Sequence, residues 1–555
     1  MKKILKSTLI MVCVLLSWVN VYATAANNAC DGIGKVQVST IPLPSEVIMR
    51  SGSWHSATYT YSGKVLIAYK TTSDMDTSHY VNLAIINDDG TGFKKIFSGV
   101  IQQNPLSNGG YRFMPFEDKK RILLGDYVLE CSPNIDDCES TKLVPVVFPE
   151  IIDADPMTMC HWSEVIIAPD NKHMAWTLLR KNFTAAALVG TLTRYTDQYV
   201  IENAQIISVL HGFENDPANP CYLIPSSLRG GEVKQFVKGG NAISVVGAMK
   251  YATTDSMVQD LNSTNLTQIT YTPGYDETTI FSPDECLGIT MSTRFSSNTD
   301  PQIFGIMPRP YAVNTGVCSA EYLYTYSVTG VRTSRVGNIG PALININFSK
   351  SQAGYKGINL NTDPNWVFYS PMSWNPDGKR AMWLEGYRGT GTPLRLQKVT
   401  LLDYCPKRPV PIVTTPDNIS YSIKDLSLLS TMTKNVQGIV TGKRSGSINY
   451  ISSEVNPYVG TTEAQYVNFS DDGVNFYNGY EKINYVFYSE TRYEANLKLT
   501  GIIPGEMNFR ATFGPIGTAP EAKLIFDTDP ADGKPKSYGY VKYNGVTLNV
   551  SDLIP

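Results

Sequence analysis

Between positions 40 and 405 the chain repeatedly sets a short apolar run, a tight polar turn and a second apolar run in succession. Two copies are close: Pro169-Asp-Asn-Lys-His-Met-Ala-Trp176 and Pro376-Asp-Gly-Lys-Arg-Ala-Met-Trp383 share Pro, Asp, Lys and Trp at identical offsets. A third is Phe281-Ser-Pro-Asp284-Glu-Cys-Leu-Gly-Ile-Thr290, and the segments 59–69, 113–124 and 236–246 carry the pattern in weaker form. Pro presets the first turn dihedral, Asp accepts local backbone hydrogen bonds, and Gly or Asn tolerates a left-handed backbone, so the chain reverses between two strands. Counted at the turn residue, the copies lie at 62, 118, 170, 239, 284 and 377, with spacings of 56, 52, 69, 45 and 93. A period near the ~40–50 residues of a four-stranded blade predicts a β-propeller, in which neighbouring sheets cover faces that no single repeat buries. The last interval has room for a further blade, so six and seven blades both fit.

Four prolines between Cys405 and Asn418 (Pro406, Pro409, Pro411 and Pro416) predict a stiff linker over 406–418 and a domain boundary. Beyond it, residues 419–555 contain no Cys, His or Trp and alternate strongly, as in the runs at 483–488, 507–513 and 538–543. Asn478-Gly479 and Asn544-Gly545 sit between such runs as hairpin signals. The expectation is a second, smaller all-β module, a sandwich or a small barrel, built for binding or packing rather than chemistry.

Composition supports strands and turns. Of 555 residues 17% are charged, below the roughly 25% of ordinary soluble domains, while Gly (43), Pro (33) and Tyr (33) are plentiful. A nucleic-acid binder would be basic, and this chain is not. Lys2, Lys3 and Lys6 precede an apolar run from Leu9 to Val19 and a small-residue site at Ala23-Thr24-Ala25, which reads as a secretory signal over 1–25. That run falls short of the ~20 residues a spanning helix needs. Without it the balance is 44 basic to 50 acidic residues, a net charge of −6. The expectation is therefore a secreted or periplasmic protein with no membrane-spanning segment after signal removal and no nucleic-acid partner.

Nine cysteines become eight when Cys13 leaves with the signal, and an even count in an exported chain points to disulfides. The pairings expected are Cys131–Cys138 across a short polar loop, Cys160–Cys221, Cys286–Cys318 and Cys30–Cys405. No spacing suits structural zinc, and no C-x-x-C occurs. No metal or cofactor is expected beyond calcium at the acidic turns 470–473 and 527–533, which lack EF-hand spacing and read first as solvated turns.

The Ser-Pro-Asp-Gly-type turns resemble the repeats of the TolB propeller and its exported relatives, and Leu83-Ala-Ile-Ile-Asn-Asp-Asp89-Gly90-Thr-Gly-Phe-Lys-Lys-Ile96 looks like that family's third strand, hairpin and outer strand. The resemblance implies a fold over about residues 40–405 and leaves the activity open, because such propellers serve scaffolds, peptidases and polysaccharide lyases alike.

No G-x-S-x-G elbow, phosphate loop, H-E-x-x-H or C-x-x-C-H is present. In a propeller the loops before the innermost strands and after the second strands share one face. That rule places Trp54-His55, Tyr111-Arg112, Cys160-His161-Trp162 and Tyr275-Asp276-Glu277 on a common rim. It adds Lys70, Arg180, Lys250, Arg294 and Arg388, with Asp126 at the equivalent place in the remaining copy. Either these cations are ordinary solvated strand ends, or they form a ring that attracts a carboxylate, sulfate or phosphate. His55, Arg112, His161, Arg180, Lys250, Arg294 and Arg388 are accordingly the candidate ligand-binding set. Two function classes follow. One is a binding or scaffold protein that recognises an anionic glycan or a protein partner. The other is a polysaccharide lyase, in which Arg294 or Arg388 neutralises a uronate carboxylate while His161 or Tyr251 moves the proton.

Overall fold

The computed structural model describes residues 31–553 apart from 51–54, 75–77, 103, 108–112, 182–183, 210–212, 226–230, 248–252, 273, 297–304, 311–324, 334, 353, 390–392, 432–434, 487–488 and 515–522. The cleavage region, Cys30, Trp54, Tyr111, Arg112, Lys250, Tyr251 and Cys318 lie outside the described residues.

Among the described residues, six four-stranded antiparallel units follow one another along the chain, the second and third joined into one eight-stranded sheet by the parallel pairing of Tyr199 and Val200 with Val146 and Val147. Their innermost strands are Ser56–Tyr59, Phe113–Pro115, Thr158–Ile167, Val233–Val237, Asp276–Phe281 and Trp366–Trp374, for blades 1 to 6 in that order. Each of the six repeat turns joins the first and second strands of one blade. Residues just after the turn position take left-handed backbone in successive copies: Gly63 (φ 86°), Lys119 (φ 60°), Asn171 (φ 62°), Glu285 (φ 53°) and Gly378 (φ 67°).

Contacts between innermost strands close the ring. Tyr59 donates its N–H to Ser373 Oγ at 2.9 Å, Ile167 N–H meets Met114 Sδ at 3.4 Å, and Trp374 Nε1 donates to the Ile280 carbonyl at 2.8 Å. Separate apolar cores fill the wedges between neighbours, such as Leu66, Leu83 and Ile85 against Ile122 and Leu129 between blades 1 and 2, and Ala175, Val189 and Ile207 against Val233 and Ile243 between blades 3 and 4. The N-terminal strand Val36–Thr40 completes blade 6 by pairing with Leu394–Leu401, Val38 opposite Val399. The long interval from 284 to 377 holds no seventh sheet among the described residues. It holds an insertion, residues 293–341, between the second and third strands of blade 5.

Among the described residues, the C-terminal strands from Val436–Thr441 through Val546–Asn549 form one curled antiparallel meander, with no second layer and no pairing of its two edge strands. A hairpin leaving blade 3, Phe213–Asp216 and Asn219–Pro225, extends this sheet at its first edge, Tyr222 beside Ile439. Alternation along the strands buries one face, and propeller residues cover it. Met307, Val328 and Val331 of the insertion share a core with Tyr485, Leu497, Met507 and Phe513. Within that core Arg309 Nε lies 3.1 Å from Glu481 Oε1, and the Tyr466 hydroxyl donates to Glu481 Oε2 at 2.9 Å. Asn544-Gly545 is a hairpin turn as predicted, whereas Asn478-Gly479 lies inside the strand Phe476–Val486. Gly479 there has φ 116°, and a Cβ would fall 2.0 Å from the Asn496 carbonyl, so the position needs glycine without being a turn.

No disulfide is found among the described cysteines, and the expected Cys286–Cys318 and Cys30–Cys405 pairs each have one member outside the described residues. Cys131, Cys138, Cys221, Cys286 and Cys405 are free thiols. Cys160 packs with Leu179 and Ala185 in blade 3, while Cys221 is exposed on the hairpin beside the C-terminal sheet. Cys131 and Cys138 are neighbours, as their loop required, and Cys138 Sγ donates to the Ser140 carbonyl at 3.4 Å. Cys286 lies against the Tyr404 hydroxyl, and Cys405 is exposed. Among the described residues no helix is long and apolar enough to cross a membrane.

Candidate functional site

The innermost strands of all six blades surround an axial cavity of about 410 Å³. Its lining is mainly apolar and hydroxyl-bearing residues, and charge enters at a few points. Lys234, in the innermost strand of blade 4, is almost fully buried. Its Nζ lies 2.6 Å from Glu232 Oε2, 2.9 Å from Glu277 Oε1 of blade 5 and 3.1 Å from Glu164 Oε2 of blade 3. The Tyr275 hydroxyl donates to the other Glu277 oxygen at 3.2 Å. Burial works against the Lys234 charge, but three carboxylates hold the amine protonated well above its ordinary range. Burial, opposed by Lys234 and reinforced by Glu277, pushes the Glu232 carboxyl up to about 7.

Nearer the repeat-turn end, Glu117 and Glu285 line the same cavity. Burial raises both carboxyl pKa values, and Glu117 Oε2 has no hydrogen-bond partner. Among the described residues, Glu117, Glu164 and Glu285, with Glu232 and Glu277 around Lys234, meet three lysines: Lys234 itself, Lys119 beside Glu117 and Lys238 beside Glu285. Carboxylates therefore outnumber cations, and the site favours positive charge.

At this end part of the mouth is closed by the proline-rich stretch itself. Rather than spanning open space, residues 404–419 lie along the turns of blades 6, 5, 4 and 3 in succession. Pro406 packs at Gly378, Lys407 N–H donates to Asp284 Oδ2 at 2.9 Å, and Val410 N–H donates to the Pro283 carbonyl at 2.9 Å. Val413 N–H reaches the Gly239 carbonyl at 3.0 Å, and Thr415 N–H reaches Asp170 Oδ2 at 3.0 Å. Pro409, Val410 and Ile412 of this strap form an apolar wall of the cavity, leaving the turns of blades 1 and 2, with Tyr61 and Glu117, as the uncovered side.

Of the rim residues singled out in the sequence, Tyr275 and Glu277 reach the Lys234 cluster, whereas the described candidate arginines and histidines do not line the cavity. Arg294 Nη2 pairs with Asp276 Oδ1 at 3.0 Å and its Nε donates to Ser292 Oγ at 2.8 Å, all buried. Arg388 is tied to the carbonyls of Val331, Arg335 and Gly337 and so pins the blade-5 insertion to blade 6. Arg180 is buried with Asp155 3.9 Å away. The His161 Nε2 meets Asp153 Oδ1 at 2.9 Å, and its ring stacks on Phe148 with centroids 4.2 Å apart. His55 is buried, its Nδ1 accepting the Arg50 N–H at 2.7 Å, and burial together with nearby Lys70 lowers its pKa to about 4. Asp126 accepts from the Ser107 hydroxyl at 2.7 Å. The acidic C-terminal turns are filled by the protein: Asp529 pairs with Arg492, Asp532 with Arg510, and Asp472 accepts the N–H groups of Val474 and Asn475. Arg112, Lys250 and Tyr251 lie outside the described residues.

No family model matches the chain, and no curated protein matches it in sequence. Similar solved structures include a putative TolB from Agrobacterium tumefaciens (12% identity over 56% of this chain and 81% of that one, TM-score 0.32) and TolB from Acinetobacter baumannii (12% identity, 61% and 64%, TM-score 0.33). Another is the β-propeller domain of the trilobed protease from Pyrococcus furiosus (9% identity, 64% and 97%, TM-score 0.31).

Proposed function

We propose that this chain is an exported β-propeller scaffold that holds a protein partner by taking a basic side chain of that partner into the axial cavity. The observation that carries the reading is the surplus of carboxylates there, with Glu117 and Glu285 raised by a burial that outweighs the nearby Lys119 and Lys238. A lysine or arginine side chain supplies that charge, and its aliphatic stem suits the apolar wall of Pro409, Val410 and Ile412. Export rests on the signal-like N-terminus.

An anionic glycan, or a lyase that grips uronates, needs cations free to meet the ligand, and Arg180, Arg294 and Arg388 are engaged with groups of their own fold. Fluorescence anisotropy with a labelled tetralysine peptide, a tetraglutamate peptide and a polygalacturonate oligomer separates the readings. Tetralysine binds, Glu117→Gln and Glu285→Gln each weaken it about tenfold, and the two anionic probes do not bind. Binding of the uronate oligomer, or absorbance from unsaturated products on incubation with it, overturns the proposal in favour of the glycan or lyase class.

A further inference from the structure

In three of the turns the repeat aspartate works identically. Oδ1 of Asp118, Asp170 and Asp377 accepts the backbone N–H groups two and three residues on, and Oδ2 accepts a side chain three residues on: Arg121, His173 and Arg380. Blade 3 alone among these uses histidine. Its second ring nitrogen is then available to the strap: His173 Nδ1 lies 2.7 Å from Asp170 Oδ2, and Nε2 lies 2.9 Å from Asp417 Oδ1.

Blade 4 is shaped for the same contact in another way. Gly239 and Gly240 occupy its turn with φ of 67° and 116°, and a Cβ on Gly239 would sit 2.1 Å from the Pro411 carbonyl oxygen. Glycine is there because the strap backbone lies against it. The strap is thus fitted to the propeller at each turn it crosses, and it forms one wall of the axial mouth.

We infer that the strap is a lid on the axial cavity and that the His173–Asp417 contact is its clasp, tight when the imidazole is protonated and loosened when it is neutral. This rests on the axial reading above only for what the lid admits, not for whether it moves. Only the imidazolium donates through both nitrogens at once. The charged groups facing the ring are Asp170 from its own turn and Asp417 from the strap; the Thr191 hydroxyl from the adjacent strand reaches Asp417 Oδ1 at 3.5 Å, and Gln205 holds the Asp417 carbonyl at 2.8 Å. Asp170 is further held by the N–H groups of Lys172, His173 and Thr415, so on deprotonation the remaining ring proton stays with Asp170 and the contact to Asp417 is given up. Burial lowers the His173 pKa, but the two aspartates outweigh it and the net direction is upward. The clasp is therefore complete below the ordinary histidine value and is lost as pH rises through the raised one.

Backbone amide hydrogen exchange of the full-length protein, corrected for intrinsic chemical exchange, tests this at pH 5.5 and 8.5. In wild type the protected amides of Val410, Val413 and Thr415 exchange about tenfold faster at pH 8.5. In Asp417→Ala they are fast at both pH values; that side chain is 71% exposed, so the fold tolerates the change. Gly239→Ala, which displaces Pro411, gives the same fast exchange at both pH values. Tetralysine association rates rise in parallel with exchange. Equal exchange at both pH values in wild type, or an Asp417→Ala profile matching wild type, overturns the clasp. Faster exchange without any change in tetralysine association overturns the lid. If tetralysine binds none of the proteins, the axial reading fails, and the exchange data alone decide whether the strap moves on the clasp.

Discussion

Lys234 brings one positive charge into a site where water is nearly excluded and three carboxylates converge on it. Pairing of this kind stabilises little against an apolar substitute of the whole cluster, but removing one partner strands the others. Lys234→Met is expected to cost about 3–5 kcal/mol at pH 8 by denaturant unfolding. Part of that loss returns at pH 5 as the stranded carboxyls take up protons. Asp255 makes the opposite case. Burial and the neighbouring Asp276 hold its carboxyl pKa well above the ordinary value, while Thr270 and Gln268 donate to it at 2.9 and 2.8 Å. Its folded pKa exceeds the unfolded one, so the folded state gains from protonation, and stability declines as pH rises past the unfolded value. Asp255→Asn is expected to raise Tm by a few degrees at pH 8 and to match wild type at pH 4, read by thermal melts. An equal gain at both pH values contradicts this linkage. None of this was legible in the sequence, because the partners that give Lys234 its setting sit 70 and 43 positions away.

At the scale of elements, legibility followed the range of the interaction. Asp118, Asp170, Asp284 and Asp377 act on N–H groups two or three residues away, so their turns, and with them the blade starts, could be read from local chemistry. The prolines at 406–416 suit a spacer and a docked strap alike, because a Pro-rich chain looks the same free or docked; what distinguishes the two is the set of turns it crosses. Arginines ending second strands were visible as residue types, yet whether they face a ligand or a carboxylate of their own blade depended on Asp276 for Arg294 and on an insertion for Arg388. That insertion carries its own prediction. Arg309 and Glu481 are both buried, one in the blade-5 insertion and the other in the C-terminal sheet. Arg309→Met leaves Glu481 uncompensated, at a cost of about 3–5 kcal/mol. Hydrogen exchange should then rise selectively in Phe476–Val486 and Thr491–Thr500 while blades 1 to 3 keep wild-type protection. A uniform rise across the chain contradicts the assignment of Arg309 as the anchor of that sheet.

Two strand additions and one insertion bind the whole molecule together across long sequence separations. Val36–Thr40 closes the ring against Leu394–Leu401, the hairpin Phe213–Pro225 extends the C-terminal sheet, and the insertion 293–341 fills its buried face. The C-terminal residues looked like a separate module because their alternation is self-contained, but alternation reports only that one face is buried, not what buries it. Here Met307 and Val331 do so, and Gly505 leaves room for the Met307 thioether, 2.6 Å from where a Cβ would stand. A single curled sheet without that cover exposes Tyr485, Leu497, Met507 and Phe513 to water and has no second layer to bury them. Residues 419–555 produced alone are therefore expected to aggregate or to unfold without a cooperative transition, whereas the full chain melts with the sheet and blade 5 in one step. Circular dichroism melts of both, with tryptophan fluorescence following the propeller alone, since the sheet has no tryptophan, check this. A sharp, reversible melt of the isolated fragment would show that the sheet carries its own core and that the insertion merely decorates it.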